Sequence, residues 1–336
     1  MREIKISVIV PIHNAGIYLN KCLESLVTQT LKELEFILVL DCPTDGSDKV
    51  VEEFRKKDDR IRVIQNPTNL HIGNSRNKGL EIAKGKYVAF RDHDDYLNPK
   101  MYEILYEQAE ANCCDLVCSP YVRVFNGKIE GLVHYPASSP ESLPNIIMKI
   151  AIGPSSNNDV LNLLSGSGAV WNKLFKRSII KKYDLHFIDT NKSTAEDLIF
   201  LMEYSFYCKR ACIVSEFLYY HVMRIDSTGK TLSYTAPHKV IFYLKYTYNF
   251  LLNNHLLDNL DIQLRFRNRI KKEVVNTLIK EYRNNKSLYR VLDNISFFKK
   301  ESLIVETFRE YPSYVFFHST AIKKILFKLL RLLFFI

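Results

Sequence analysis

Three carboxylates stand within four positions at Asp92-His93-Asp94-Asp95, directly after an apolar run that predicts a strand over Tyr87 to Arg91. Carboxylate oxygens at that density suit a hard divalent cation such as Mg2+ or Mn2+, and those cations also bind diphosphates. An acidic turn capping the helix that begins near Pro99 is the plainer alternative. Asp41 is a second candidate, placed before the turn Cys42-Pro43-Thr44-Asp45-Gly46-Ser47. A carboxylate there can accept a hydrogen bond from a pyrimidine imide, while Asp45 or Ser47 caps the helix that follows. The run from Asn69 to Gly79 sets Gly73 and several polar groups at a helix start, with Arg76 in its first turns. A helix terminus with a basic side chain favours an anion.

The elements that must position these groups are legible as alternating short β-rich runs and helical patterns. Strands are predicted over Ile6 to Pro11, Glu35 to Leu40, Ile61 to Gln65 and Tyr87 to Arg91. Helices are predicted over Ala15 to Thr30, with Leu19, Cys22, Leu23 and Leu26 on one face, and over Gly46 to Lys57 and Gly73 to Lys84. Strands joined by helices of this length imply right-handed crossovers and a mostly parallel sheet. Ligands of such sheets collect at the carboxyl ends of the strands. His13 and Asn14, Asp41, Asn66 to Asn69, and Asp92 to Asp95 occupy those ends.

Farther along, residues 126–168 are rich in Gly, Ser, Pro and Asn and read as a loop-rich insertion. Trp171 to Ile180 and Ala195 to Cys208 read as helices, Ile213 to His221 as a strand, and Met223 to Pro237 as a loop. From His238 onward there is no Gly and only Pro312, a composition for helices. Residues 1–237 carry 29 Lys and Arg against 29 Asp and Glu, whereas residues 238–336 carry 18 against 8, so the net charge of +10 sits in the last third. A neutral body with a basic end predicts a polyanionic surface as partner, a membrane face or nucleic acid. The segment Ile322 to Ile336 puts Lys324, Lys328 and Arg331 on one stripe of an otherwise apolar helix, which suits the interface of an anionic membrane or packing on protein, including a homodimer. For nucleic acid, aromatics should interleave with surface cations; among Arg265, Arg267, Arg269, Lys271 and Lys272 only Phe266 does. The seven cysteines form no paired Cys-x-x-Cys site and are expected to be reduced thiols.

In order along the chain, Val8-Ile9-Val10-Pro11-Ile12-His13-Asn14, Leu38-Val39-Leu40-Asp41 with the turn to Ser47, Ser75-Arg76-Asn77-Lys78-Gly79 and Asp92-His93-Asp94-Asp95 resemble the family 2 glycosyltransferases of the GT-A fold. The resemblance continues through Trp171-Asn172-Lys173-Leu174-Phe175-Lys176-Arg177 and Glu196-Asp197-Leu198-Ile199-Phe200, and ends near residue 228. It implies an α/β fold with a mostly parallel, Rossmann-like sheet and a nucleotide-sugar donor, UDP-sugars foremost. Residues 1–237 would be the catalytic domain, with a nucleotide-binding half over about 1–125 and an acceptor half over about 126–237, and 238–336 a helical basic extension.

By the same resemblance Asp41 contacts the base, and Pro11, His13, Asn14, Arg76, Asp92, His93 and Asp94 line the donor site. Asp94 and Asp92, with His221, are the expected ligands of Mg2+ or Mn2+, and Asp197 is the expected catalytic base of an inverting transfer. Trp171 and Glu196 are expected to meet the acceptor, a glycan or lipid-linked saccharide, beside the Gly166-Ser167-Gly168 turn. His221 and Arg224, with Ser227, Thr228 and Lys230, form a polar loop able to close over a diphosphate. Leu40 before Asp41, Cys42-Pro43, His13 and Ala195 depart from the common pattern. A role in cell-surface polysaccharide synthesis, on the inner face of the membrane, follows from the resemblance; a sugar nucleotidyltransferase and a non-catalytic membrane-held binding module are the rivals. The first would need a Gly-rich basic loop after the first strand, which Pro11-Ile12-His13-Asn14-Ala15-Gly16 does not supply.

Overall fold

The computed structural model describes residues 3–135, 138–155, 168–193, 195–224 and 236–310. The chain divides into two compact units, one from residues 1–148, 164–190 and 196–224 and the other from 149–163, 191–195 and 225–336.

In the first unit seven strands form one sheet: β1 (Ile6–Ile12), β2 (Leu34–Leu40), β3 (Ile61–Gln65), β4 (Tyr87–Phe90), β6 (Leu116–Cys118), β9 (Lys173–Lys176) and β10 (Ala211–Ile213), in the order β10-β6-β9-β4-β1-β2-β3. β1 pairs in parallel with β2 and β4, and β2 with β3, so four carboxyl ends lie along one edge. Every residue of β1 and β2 is buried, as a strand covered by helices on both faces must be. The covering helices are α1 (Leu19–Val27), α2 (Ser47–Lys57), α3 (His71–Ile82) and α4 (Met101–Ala111) on the first stretch of chain. The predicted face of α1, Leu19, Cys22, Leu23 and Leu26, is buried throughout.

Four sequence expectations change. Trp171 to Ile180 is not one helix: Lys173–Lys176 is strand β9, which pairs antiparallel with both β4 and β6, and only Arg177–Lys182 is helical, α6. Ile213 to His221 is not one strand: β10 ends at Ile213, and β11 (Tyr219–Val222) joins a second sheet, in the order β5-β11-β7-β8, with β5 (Tyr96–Leu97), β7 (Tyr121–Phe125) and β8 (Lys128–Val133). The stretch 126–168 contains β8 and the helix α5 (Leu143–Ile152), where the chain passes to the second unit. The turn residues Gly166 and Ser167 lie outside the described residues. Cys114 and Cys212 are joined in a disulfide, contrary to the expectation of seven free thiols. Parallel pairing of β10 with β6 brings together two residues 98 positions apart, a proximity that no local spacing reveals.

α7 (Glu196–Tyr207) completes the first unit. The second unit holds α8 (Pro237–Asn253), α9 (Leu260–Asn285), α10 (Leu288–Phe298) and α11 (Ser302–Glu310). On α9, Arg265, Arg269 and Lys271 are 5%, 8% and 0% exposed. Arg265 donates to the Gly153 carbonyl at 3.0 Å, Arg269 to the carbonyls of Ile152 at 3.1 Å and Ala151 at 3.2 Å, and Asn268 to those of Pro154 and Ser155. Cations at the open carbonyls of a helix end are favourable. These arginines therefore cap the chain after α5, and do not form the exposed basic patch that a polyanion would need. The segment Ile322 to Ile336 lies outside the described residues, and no helix among the described ones is long and apolar enough to cross a membrane.

Candidate active site

The expected donor residues gather at the carboxyl edge of the parallel strands. At the end of β1, His13 donates from Nδ1 to the Asp41 carbonyl at 2.6 Å, the tautomer that a carbonyl acceptor requires. Asn14 accepts from the Thr44 amide at 2.8 Å, which ties the β1 end to the turn after β2. Asp45 accepts from the Ser47 amide at 3.1 Å and the Gly16 amide at 2.7 Å, a capping and bracing role. Asp41 is 3% exposed; its Oδ1 accepts from Asn66 Nδ2 at 2.8 Å and the Leu70 amide at 2.7 Å, which leaves Oδ2 for a ligand. His93 donates to the Pro11 carbonyl at 3.1 Å and so joins the turn after β4 to β1.

At the start of α3 three backbone amides are already engaged by side chains. The Leu70 amide is taken by Asp41, that of His71 by Asn69 Oδ1 at 3.0 Å and that of Gly73 by Thr190 Oγ1 at 3.1 Å. Gly73 serves close approach: a Cβ there would lie 2.4 Å from the Ile188 carbonyl oxygen. Arg76 is 2% exposed and bridges two elements, with one nitrogen 3.0 Å from Asp92 Oδ1 and another 3.4 Å from Glu196 Oε1. Glu196, expected at the acceptor, thus has one carboxylate oxygen engaged by Arg76.

Around the acidic turn the neighbouring side chains differ. Asp94 pairs with Arg224 at 3.1 Å, and its carboxyl is pushed up to about 6 by burial and by the charges of Asp95 and Asp92. Asp95 is 1% exposed and accepts from Tyr219 Oη at 2.5 Å and the Val222 amide at 2.7 Å. Arg91, fully buried, donates to the Asp95 carbonyl and to Ser25 Oγ at 3.2 Å. Neither Arg91 nor Tyr219 was singled out by sequence; an arginine wedged between the apolar run and the acidic turn is the signal that could have found the first. Glu196 and Asp197 open α7. Burial and the Asp197 charge raise Glu196 to about 7, with Arg76 opposing, and burial raises Asp197 too, again against Arg76. Asp197 Oδ1 accepts from the Leu198 amide at 2.8 Å.

Trp171 is 9% exposed, stacked on Tyr219 (4.4 Å, 24°) and His221 (5.0 Å, 10°), with Tyr121 edge-on at 4.8 Å. That packing makes Trp171 a support for β11. Thr194, Ser227, Thr228 and Lys230 lie outside the described residues.

Among the described residues no three His, Cys, Asp or Glu side chains are gathered closely enough to hold a metal ion by themselves. The donor set nonetheless fits a hard cation: burial and the crowding of Asp95 and Asp92 raise Asp94 even with Arg224 beside it. Mg2+ and Mn2+ sites of this kind use one or two carboxylates and draw further oxygens from substrate phosphates.

The model of glycosyl transferase family 2 matches residues 7–184, more than half of the chain. The chain belongs to glycosyl transferase family 2. It is 29% identical over 239 residues to the cholesterol galactosyltransferase of Borreliella burgdorferi, covering 69% of this chain and 64% of that one. To the poly(ribitol-phosphate) beta-glucosyltransferase of Bacillus spizizenii it is 27% identical over 237 residues, 69% of this chain and 34% of that one. It thus spans less than two thirds of the length of these relatives. Its fold is similar to that of S. aureus TarS 1-349 in complex with UDP-GlcNAc, with a TM-score of 0.63 at 23% identity, over 90% of this chain and 81% of that one. The shared arrangement is the GT-A fold.

Proposed function

We propose that this family 2 member transfers a glycosyl group from a nucleotide-diphosphate sugar, a UDP-sugar, to an acceptor hydroxyl with inversion at the anomeric carbon. The observation that carries the reading is the Arg76 bridge: one side chain contacts Asp92 at 3.0 Å and Glu196 at 3.4 Å, so the acidic turn after β4 and the helix start bearing Asp197 lie within its span. A leaving group and a base on either side of one small volume is what a single in-line displacement requires.

Asp41 Oδ2 would accept the imide hydrogen of uracil, and the TarS structures with UDP-GlcNAc and with UDP favour that base. Asp92 and Asp94, with His221, would hold Mg2+ or Mn2+. When bound, such a cation supplies neutralisation of the charge that builds on the departing diphosphate. Arg224, beside Asp94, adds a second positive group there. Asp197 takes the hydroxyl proton. Its Oδ1 is engaged by the Leu198 amide, which leaves Oδ2 for that proton, and burial raises its proton affinity toward the working range of a base. Surface-polysaccharide synthesis is the proposed setting, supported by the relative that acts on poly(ribitol-phosphate).

The test is a panel of nucleotide sugars and candidate acceptors incubated with the full chain and Mn2+ or Mg2+, with release of nucleoside diphosphate followed. One donor should be consumed, with inverted product, and Asp94→Ala and Asp197→Ala should each lower the rate by about 10²–10⁴-fold. Release that is indifferent to both substitutions would sink the assignment.

A further inference from the structure

Asp95 is chemically the equal of Asp92 and Asp94 in the sequence, but its surroundings set it apart. Its carboxylate is 0% exposed and is enclosed by one strand, β11: Tyr219 Oη donates to Oδ2 at 2.5 Å and the Val222 amide to Oδ1 at 2.7 Å. His221 Nδ1 lies 3.3 Å from Oδ1 and 3.4 Å from Oδ2. An ionised carboxylate only accepts, so the hydrogen of that contact sits on Nδ1. In the neutral imidazole the lone pair is then on Nε2, which has no hydrogen-bond partner among the described residues. The His221 side chain is 35% exposed, its ring plane is set by Trp171 stacked at 5.0 Å and 10°, and Asp92 and Asp94 lie within electrostatic reach of it. Three residues downstream, Arg224 meets Asp94.

We propose that Asp95 is a positioning residue and not a cation ligand: it holds β11 against the acidic turn and orients His221 so that Nε2 offers its lone pair to the cation held by Asp92 and Asp94. This rests on the cation binding proposed above. Imidazoles that ligate metals commonly donate their other N–H to a carboxylate, and loss of that carboxylate weakens metal binding about 10–100-fold. Asp95→Asn keeps the size of the side chain and one acceptor for the Val222 amide. It removes the charge and the second acceptor, and with them the hold on the tautomer of His221.

Mn2+ binding to the full chain in the presence of UDP, read from the electron paramagnetic resonance of the free ion, separates the possibilities. Asp95→Asn and His221→Ala should each weaken Mn2+ binding by about 10–100-fold, and the double variant should bind no more weakly than His221→Ala alone. A further loss on adding Asp95→Asn to His221→Ala would make Asp95 a ligand in its own right and overturn the proposal. So would unchanged affinity in Asp95→Asn while Asp94→Ala loses Mn2+, an outcome that leaves the cation reading intact. If the wild-type chain binds no Mn2+, the cation reading and the proposal fall together. Should Asp95→Asn fail to fold, long-range ¹H–¹⁵N spectra of the metal-free wild-type protein, with the His221 imidazole neutral, decide independently: the hydrogen belongs on Nδ1, and its appearance on Nε2 would refute the proposal.

Discussion

Replacing Arg76 with leucine tests whether one buried cation joins the two halves of the site. Arg76 is 2% exposed and faces Asp92 at 3.0 Å and Glu196 at 3.4 Å. At such distances and an effective dielectric of about 20, each contact has a gross Coulomb energy of roughly 5 kcal/mol. Desolvation cancels much of that, and removing one partner of a buried pair costs about 3–5 kcal/mol net, because the other charge is left behind. At about 2–4 °C per kcal/mol, the melting temperature should drop by roughly 10 °C. A second effect concerns protons. Arg76 opposes the burial that raises Glu196 to about 7 and Asp197 above its ordinary value. Without it the pair, titrating jointly, holds its proton to higher pH. The acid limb of the kcat/KM profile for diphosphate release should therefore move to higher pH by more than about one unit, with partial recovery at alkaline pH, since each unit is tenfold in the ionised fraction. Arg76→Lys, which keeps a charge but cannot span both carboxylates, should fall between. An acid limb unchanged in Arg76→Leu, whatever the loss in rate, would refute the coupling of Arg76 to the base.

Other consequences are independent of that bridge. Gly73→Ala places a Cβ 2.4 Å from the Ile188 carbonyl oxygen and 3.5 Å from Glu196 Cγ, so it should cost about 1–3 kcal/mol in chemical denaturation and lower kcat; a variant as stable and active as wild type would show that 188–190 yields freely. Glu196→Gln should flatten the pH dependence of stability. The native carboxyl keeps its proton up to about 7 while the unfolded chain releases it near 4.5, so wild-type stability falls as pH rises through that window and the variant's falls less; coincident slopes of melting temperature against pH would exclude the effect. Arg269→Met removes the donor to the Ile152 and Ala151 carbonyls and should cost about 2–4 kcal/mol, seen as faster amide exchange in the second unit, whereas unchanged exchange would mean that the cap is dispensable.

What the sequence determined by itself was the local order of the parallel half. Strands β1 to β4 and helices α1 to α3 emerge from apolar periodicity because each such element buries a fixed face or both faces, and burial is written into residue type. His13, Asn14, Asp41 and Asp92 to Asp95 were placed at one edge on the same ground, since parallel strands align their carboxyl ends. β9 escaped this reading: its four residues are too short a run to show a period, and they become a strand only between β4 and β6, which come from distant stretches of chain. β11 is likewise made by its partners, β5 and β7. The division of labour among Asp92, Asp94 and Asp95 was also beyond the sequence, in which three aspartates are one residue type. Only tertiary structure sets Tyr219 and His221 against Asp95, Arg224 against Asp94, and Arg76 between Asp92 and Glu196. A carboxylate's role is decided by which donors surround it and how much water is left, and those donors arrive from up to 127 residues away.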